Sequence, residues 1–361
     1  MKRERLILSF VNKEANNKFD KMAPIHSVIS SVVVFTLASM HCANSLTEEC
    51  NLSPDRSALS CFIRSLQSQL STSAAEVRSL TVRCSDAFFF ESQLRSQHFG
   101  RLPNLESLEV DFCKIRHLPV RSFVGLDNLR RLSVQSHNSE WTSILMDVSV
   151  DAFSRLDNLK ELNLAHNNLW SMPAGALCDL PSLASLNVSN NHLLDVSDLG
   201  VSSDDGCRIG SLTDLDLSNN HIASLRATDL SQASSLQKLV MRENRLSVIE
   251  DNALHSLPEL REVDFSSNKL AALPPTIFNS TNNLESVLLQ NNSLTLLTPE
   301  LFASAQNLRV LNLSRNAISS HLLTPDTFSG LTKLQVLDLS FNQINKIDSS
   351  TFAFMSQLQV R

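Results

Sequence analysis

The string Leu-Thr-Asp-Leu-Asp-Leu-Ser-Asn-Asn, which begins at Leu212, constrains the fold of this chain more than any other feature, because it recurs. The pattern L-x-x-L-x-L-x-x-N, strict or degenerate, starts at Leu105, Leu129, Leu159, Leu183, Leu212, Leu236, Leu260, Leu284, Leu308, Leu334 and Leu358. Seven of the ten steps are 24 residues, and the other three, of 30, 29 and 26, read as insertions. A degenerate earlier copy starts at Val77. A register that holds over most of a chain specifies stacked units, each burying its apolar face against the next.

The period and pattern are those of a leucine-rich repeat. Leu-x-Leu alternation gives a short strand with one buried face. The expected fold is therefore an α/β leucine-rich-repeat solenoid, or horseshoe. It has a parallel sheet on the concave face and irregular, 3-10 or short helical segments on the convex face. The ninth-position asparagines, Asn167, Asn191, Asn220, Asn244, Asn268, Asn292, Asn316 and Asn342, turn inward. There an amide can satisfy backbone groups left unpaired at the bend, forming a ladder from repeat to repeat. Phe123, Phe153, Leu254, Phe302, Phe328 and Phe352 are the expected convex-side anchors.

Residues 1–45 read as a signal peptide: an apolar run from Val28, too short to span a bilayer, is followed by the small residues Ala43, Asn44 and Ser45. Met22 is an alternative start, which would make residues 1–21 an upstream extension. Residues 46–76 form an N-terminal cap, and residues 77–361 hold about eleven repeats, the last cut short. No other segment is long and apolar enough for a membrane span.

Cysteine usage fits export. Of seven cysteines, Cys42 falls in the leader and six remain. Cys50 and Cys61 flank a short segment just before the repeats, where a disulfide hairpin would plug the exposed end of the core. Cys178 and Cys207 sit in neighbouring repeats away from the strands and are expected to pair. Cys113 holds a ninth position, and two readings stand for it: a buried free thiol, or a bridge to Cys84. Sequons at Asn51, Asn187, Asn279, Asn291 and Asn312 are candidate glycan sites in an exported chain, with Pro54 making the first the least favourable. Asn187 and Asn312 hold fifth positions on the concave sheet and Asn291 an eighth position at its rim, so glycans there would direct a large ligand to the unglycosylated stretch, to the first repeats or to the flanks.

Nothing in the sequence points to an enzyme. The seven glycines form no nucleotide- or nucleophile-binding motif, and H-E-x-x-H and C-x-x-C are absent. Asp204 and Asp205 supply too few oxygens for a metal. His192 and His221 fall one residue after ladder asparagines in adjacent repeats and should stand about 5 Å apart, as solvated histidines or as a pH-sensitive or metal-binding pair. No cofactor is expected. A formal charge of −6 argues against a nucleic-acid backbone as the main partner. Asp214, Asp216, Glu262 and Asp264 form a mildly acidic concave patch, interrupted by Lys238 and Arg242, that would suit a basic protein ligand. Trp141 lies in an insertion that breaks the scaffold, either as an interface anchor or as cover for Ile144, Leu145 and Met146.

Three stretches are not demanded by repeat physics: "LTVRCSDAFFFESQL" from Leu80, "LEVDFCKIRHLPVRSF" from Leu108 and "LRRLSVQSHNSEW" from Leu129. They resemble the start of the ectodomain of arthropod Toll receptors, in the Tollo-like long-ectodomain group, and the placement of Cys178 and Cys207 resembles it too. The resemblance implies a single-pass receptor on the outer face of the plasma membrane. Its ectodomain would bind a cystine-knot cytokine or another cell-surface protein, and receptor dimerisation would join cytoplasmic TIR domains in immune or developmental signalling. The chain departs from that pattern by stopping at Arg361, inside a repeat, so the expectation is a fragment whose membrane span and TIR domain would lie in a missing C-terminal part. The alternative is a leucine-rich adhesion or guidance protein, or a secreted decoy.

Overall fold

The structure, a computed structural model, describes residues 49–67, 75–85, 90–137, 145–201, 209–299, 301–353 and 355–358. Each Leu-x-Leu segment forms a strand, because alternation puts both leucines on the inner face and the residue between them outside. In Ser107–Asp111, for example, Leu108 and Val110 are buried while Glu109 is exposed. Stacked in register, these strands build a sheet of 13 among the described residues, running in chain order. The pairing is parallel from Ala58–Ile63 onward, with Leu186 beside Leu215 and Leu215 beside Leu239.

The N-terminal end is closed differently. Glu49–Leu52 folds back antiparallel on Ala58–Ile63, and the Cys50–Cys61 disulfide clamps the two with 4.0 Å between Cα atoms. This hairpin supplies the first two strands of the sheet and covers the core edge that Leu80 and Val82 would otherwise expose. A second disulfide, Cys84–Cys113, resolves the question the sequence left open. Cys113 is buried in the ninth-position slot and ties the end of Ser79–Cys84 to the next repeat.

From Asn167 the slot belongs to asparagine. Each ladder side chain donates to its own sixth-position carbonyl and to that of the preceding repeat: Asn191 to Val188 and Leu164, both at 2.9 Å. Its Oδ1 accepts from a backbone N–H of the preceding repeat, as Asn244 does from Ile222 at 3.0 Å. The ladder amides therefore give partners to backbone groups that the bend after each strand would otherwise leave buried and unpaired.

On the convex side a spine of phenylalanines fills the space between turns. Phe99, Phe123 and Phe153 stack with centroids 6.3 and 6.1 Å apart, and Phe278 lies 5.6 Å from Phe302. Removing one such ring costs about 3–5 kcal/mol. The helical part of the α/β expectation shrinks to short 3-10 turns among the described residues: Val196–Leu199, Ser320–Leu322, Pro325–Phe328 and Ser349–Phe352. The convex half of each repeat is taken up mostly by turns, which leaves single short 3-10 segments as its helical content.

Candidate protein-binding surface

The concave sheet edge is set by backbone conformation. At the eighth position of nine repeats, just past the strand, φ turns positive: Phe112 (54°), His166 (60°), Asn190 (56°), Asn219 (52°), Glu243 (57°), Ser267 (55°), Asn291 (58°), Arg315 (55°) and Phe341 (56°). Asparagine tolerates this left-handed region well; the others are held there by the repeat. The shared conformation aims these side chains along one rim, where neighbours meet. Asn219 donates to Asn190, Asn291 donates to Ser267 Oγ at 3.2 Å, and the Arg315 guanidinium lies 4.5 Å from the Phe341 ring.

At the N-terminal end this rim becomes aromatic and charged. The Arg83 guanidinium lies 4.7 Å from the centre of the Phe112 ring. Phe112 stacks on His137 with centroids 4.0 Å apart, and His137 on His166 at 4.9 Å. Asp111 joins the column from the strand, with Oδ1 3.1 Å from His137 Nε2 and Oδ2 3.5 Å from Arg83 Nε. Phe62 lies beside Arg83 in the sheet register and is 53% exposed. Counting along the sequence puts His137 at a ninth position, but an extra residue in its turn moves it into the rim column, with φ 51°. A guanidinium over the Phe112 ring, in register with the exposed Phe62, is the composition of a protein-docking surface.

The acidic patch expected farther along does not present itself as an open acidic face. Asp216 Oδ1 accepts from the Ser218 N–H at 2.9 Å and from its hydroxyl; Asp264 Oδ1 accepts from the Ser266 N–H at 2.8 Å. These are Asx turns that close the strand end. Asp264 is only 8% exposed, which withdraws it from any ligand-facing role. Asp214 stays exposed and accepts from Thr213 at 2.7 Å. Lys238, between the acids, donates to Glu262 at 2.9 Å; this bond, with Asp214 and Asp216 nearby, raises its pKa. The patch carries its own counter-ion.

The same turn accounts for two sequons. Asn187 Oδ1 accepts from the Ser189 N–H at 2.9 Å, and Asn312 Oδ1 from the Ser314 N–H at 3.0 Å, in the place that Asp216, Asp264 and Asp338 fill elsewhere. In these repeats N-x-S is a variant of a structural D-x-S. Asn51, Asn279 and Asn291 are exposed.

Trp141 and Cys207 lie outside the described residues, as do Asp204, Asp205 and Ile144. Cys178 is disulfide-bonded. Of the two remaining residues of the Trp141 insertion, Leu145 is exposed and Met146 is buried. His192 and His221 have ring centroids 5.2 Å apart, with Trp170 5.4 Å from His192 on the other side. Burial holds the His192 pKa below its ordinary value, and His221 adds repulsion. Among the described residues, no group of three or more His, Cys, Asp or Glu is placed to hold a metal ion, and no helix is long and apolar enough to cross a membrane.

Sequence reasoning missed the rim column. Its signal is faint: an aromatic or histidine eight residues into consecutive repeats, with one member displaced by the extra residue before His137.

These features define a leucine-rich-repeat solenoid closed at its N-terminal end by a disulfide hairpin, and the chain belongs to the leucine-rich-repeat family. The Leucine rich repeat family matches it at residues 142–193, 210–270, 258–318, 282–344 and 319–360, more than half of the chain. Within that family it is similar to Toll-like receptor 7 of Drosophila melanogaster, with 35% identity over 158 residues, which is 43% of this chain and 11% of that protein. The chain thus spans only a small part of the length of that relative. Among solved structures, its fold is similar to the Toll–Spatzle complex of Drosophila, with TM-score 0.60, 21% identity and coverage of 79% of this chain and 40% of that one. It is also similar to the TLR13–ssRNA13 complex, with TM-score 0.60, 23% identity and the same coverage of both chains.

Proposed function

We propose that this chain is the N-terminal part of the ligand-binding ectodomain of a Toll-type single-pass receptor. It docks a protein ligand, of the cystine-knot cytokine kind or presented on another cell, at the rim formed by Phe62, Arg83, Phe112 and His137. The identity with Drosophila Toll-like receptor 7 carries the receptor assignment. The stacking of Arg83, Phe112 and His137 selects the surface, since it offers aromatic area and a charge already held in place. Signalling would pass through a TIR domain after receptor dimerisation, in immune or developmental settings. The extracellular side of the plasma membrane is the proposed location. A nucleic-acid ligand is disfavoured by the net charge of −6 alone, and the likeness to the TLR13–ssRNA13 complex shows a shared fold.

The test has two parts. Extending the transcript past the Arg361 codon should reveal a membrane span and a TIR domain; a frame that closes after a cysteine cap or short anchor would instead assign the chain to the adhesion, guidance or decoy class. With the secreted ectodomain immobilised, recombinant cystine-knot cytokines should bind, and Arg83→Glu with Phe112→Ala should weaken binding by about 2 kcal/mol or more. Binding that ignores both substitutions would move the interface elsewhere.

A further inference from the structure

A second ordered column runs along the flank, beside the ladder. The residue after each ladder asparagine donates its N–H to a carbonyl of the preceding repeat: His192 to Leu169 (2.7 Å), His221 to Leu193 (2.9 Å), Arg245 to Ile222 (3.0 Å) and Lys269 to Leu246 (2.9 Å). This pairing fixes the four residues in one line at one per rung. At about 4.8 Å per rung, the line is about 14 Å long. The 5.2 Å between the His192 and His221 rings shows that the first two side chains lie on the same side. Trp170, 46% exposed, closes the histidine end.

The charge pattern is local and unneutralised. Arg245 and Lys269 are exposed and form no ion pair among the described residues, whereas Lys238 and Arg261 on the concave side are bound to Glu262 and Glu285. The nearest acid in sequence, Glu243, is already held by Arg242 at 2.6 Å. The acids beside the histidine end are also engaged. Asp195 pairs with Arg226 at 2.6 Å, and Asp198 accepts the N–H groups of Leu194 and Asp195 at 2.9 Å. On a chain of net charge −6, one flank thus presents four basic side chains on consecutive rungs.

We propose that this flank binds a sulfated polysaccharide laid along the solenoid axis, with sulfates on Arg245 and Lys269 and a sugar face against Trp170. A regular line of cations matches a linear polyanion and gains from counter-ion release. Sites for single-stranded nucleic acid instead stack successive bases on a series of exposed aromatic rings, and of the three rings here only Trp170 is exposed, His192 and His221 being half-buried. The Cys50–Cys61 and Cys84–Cys113 bridges fit an oxidising exterior, where sulfated glycans are found. His192 faces Trp170 and His221, and His221 faces His192 with Arg245 on the next rung; His192 adds charge to the line when it protonates, below the ordinary imidazole range because it is partly buried.

The experiment is heparin binding by the full secreted chain, at physiological salt. Arg245→Glu with Lys269→Glu should weaken binding at least about tenfold and flatten its salt dependence, while Arg130→Glu, an exposed arginine off the line, should change it little. Binding should strengthen as pH falls below the ordinary histidine range, and His192→Gln should reduce that rise. Circular dichroism and a non-reduced peptide map would verify that each variant is folded. The proposal is overturned if wild type does not bind, if the double charge reversal binds as wild type does, if desulfated heparin binds equally, or if a single-stranded oligonucleotide binds more tightly than heparin.

Discussion

Asn220 reaches back one repeat and donates through Nδ2 to the carbonyl of Val188 at 3.0 Å, while its Oδ1 accepts the N–H of Leu193 at 3.0 Å. One buried side chain thus satisfies both a donor and an acceptor of its neighbour, as well as its own Leu217 carbonyl. Asn220→Ala leaves the Leu193 N–H buried and unpaired, while the Val188 and Leu217 carbonyls keep the amides of Asn191 and Asn244, so a loss of about 1–3 kcal/mol is expected. Urea unfolding measures it. A lowered slope together with the lowered midpoint would mean that the solenoid now unfolds in two parts.

The Cys84–Cys113 bridge takes the place of a ladder residue. Cys84→Ser with Cys113→Ser should cost about 2–4 kcal/mol. Replacing Cys113 by Asn in the Cys84→Ser background should recover part of that loss, because the Val110 carbonyl holds the sixth position to which a ladder amide donates. Equal stability of the Ser and Asn variants, by the same unfolding assay, would show that the slot cannot accept the ladder geometry.

Gly200 ends the 3-10 turn Val196–Leu199 with φ 68°, and a Cβ there would run into the carbonyl oxygen of Pro173. Its own carbonyl accepts the N–H of Gly175 at 3.0 Å, so the backbone cannot simply retreat. Gly200→Ala therefore combines a disfavoured φ with a clash against main chain, and should cost more than the about 1 kcal/mol usual for a left-handed alanine. Hydrogen exchange should show the opening confined to the repeats around Pro173 and Gly200.

His192 gives a signed pH dependence. Its pKa in the fold lies below the ordinary 6.5, first because burial disfavours the imidazolium and second because of His221. The unfolded chain therefore takes up the proton first as pH drops. The stability linked to this group is full above about pH 6.5, falls as pH decreases toward the folded value, and is constant below it. His192→Gln should flatten that segment of the melting-temperature profile between about pH 7.5 and 5. An unchanged profile would show that the ring titrates as a solvated histidine.

The sequence by itself determined the solenoid. A 24-residue period fixes which leucines face inward, which asparagines form the ladder and where the phenylalanine spine runs, because each of these is a local consequence of strand alternation repeated in register. It also located the His192–His221 spacing, which needs only the rung height. Tertiary structure decided what depends on turn geometry and on partners in other repeats. Only the folded turn shows that Asp216 and Asp264 serve as Asx caps. The extra residue that brings His137 onto Phe112, 25 positions earlier, cannot be read from a period count. The Cys84–Cys113 pairing needed the Cα separation of 4.9 Å. Whether Arg245 and Lys269 find acids also depends on side chains a repeat away. Periodicity encodes the stacking axis, but a surface is read across that axis, where only the three-dimensional register says which side chains meet.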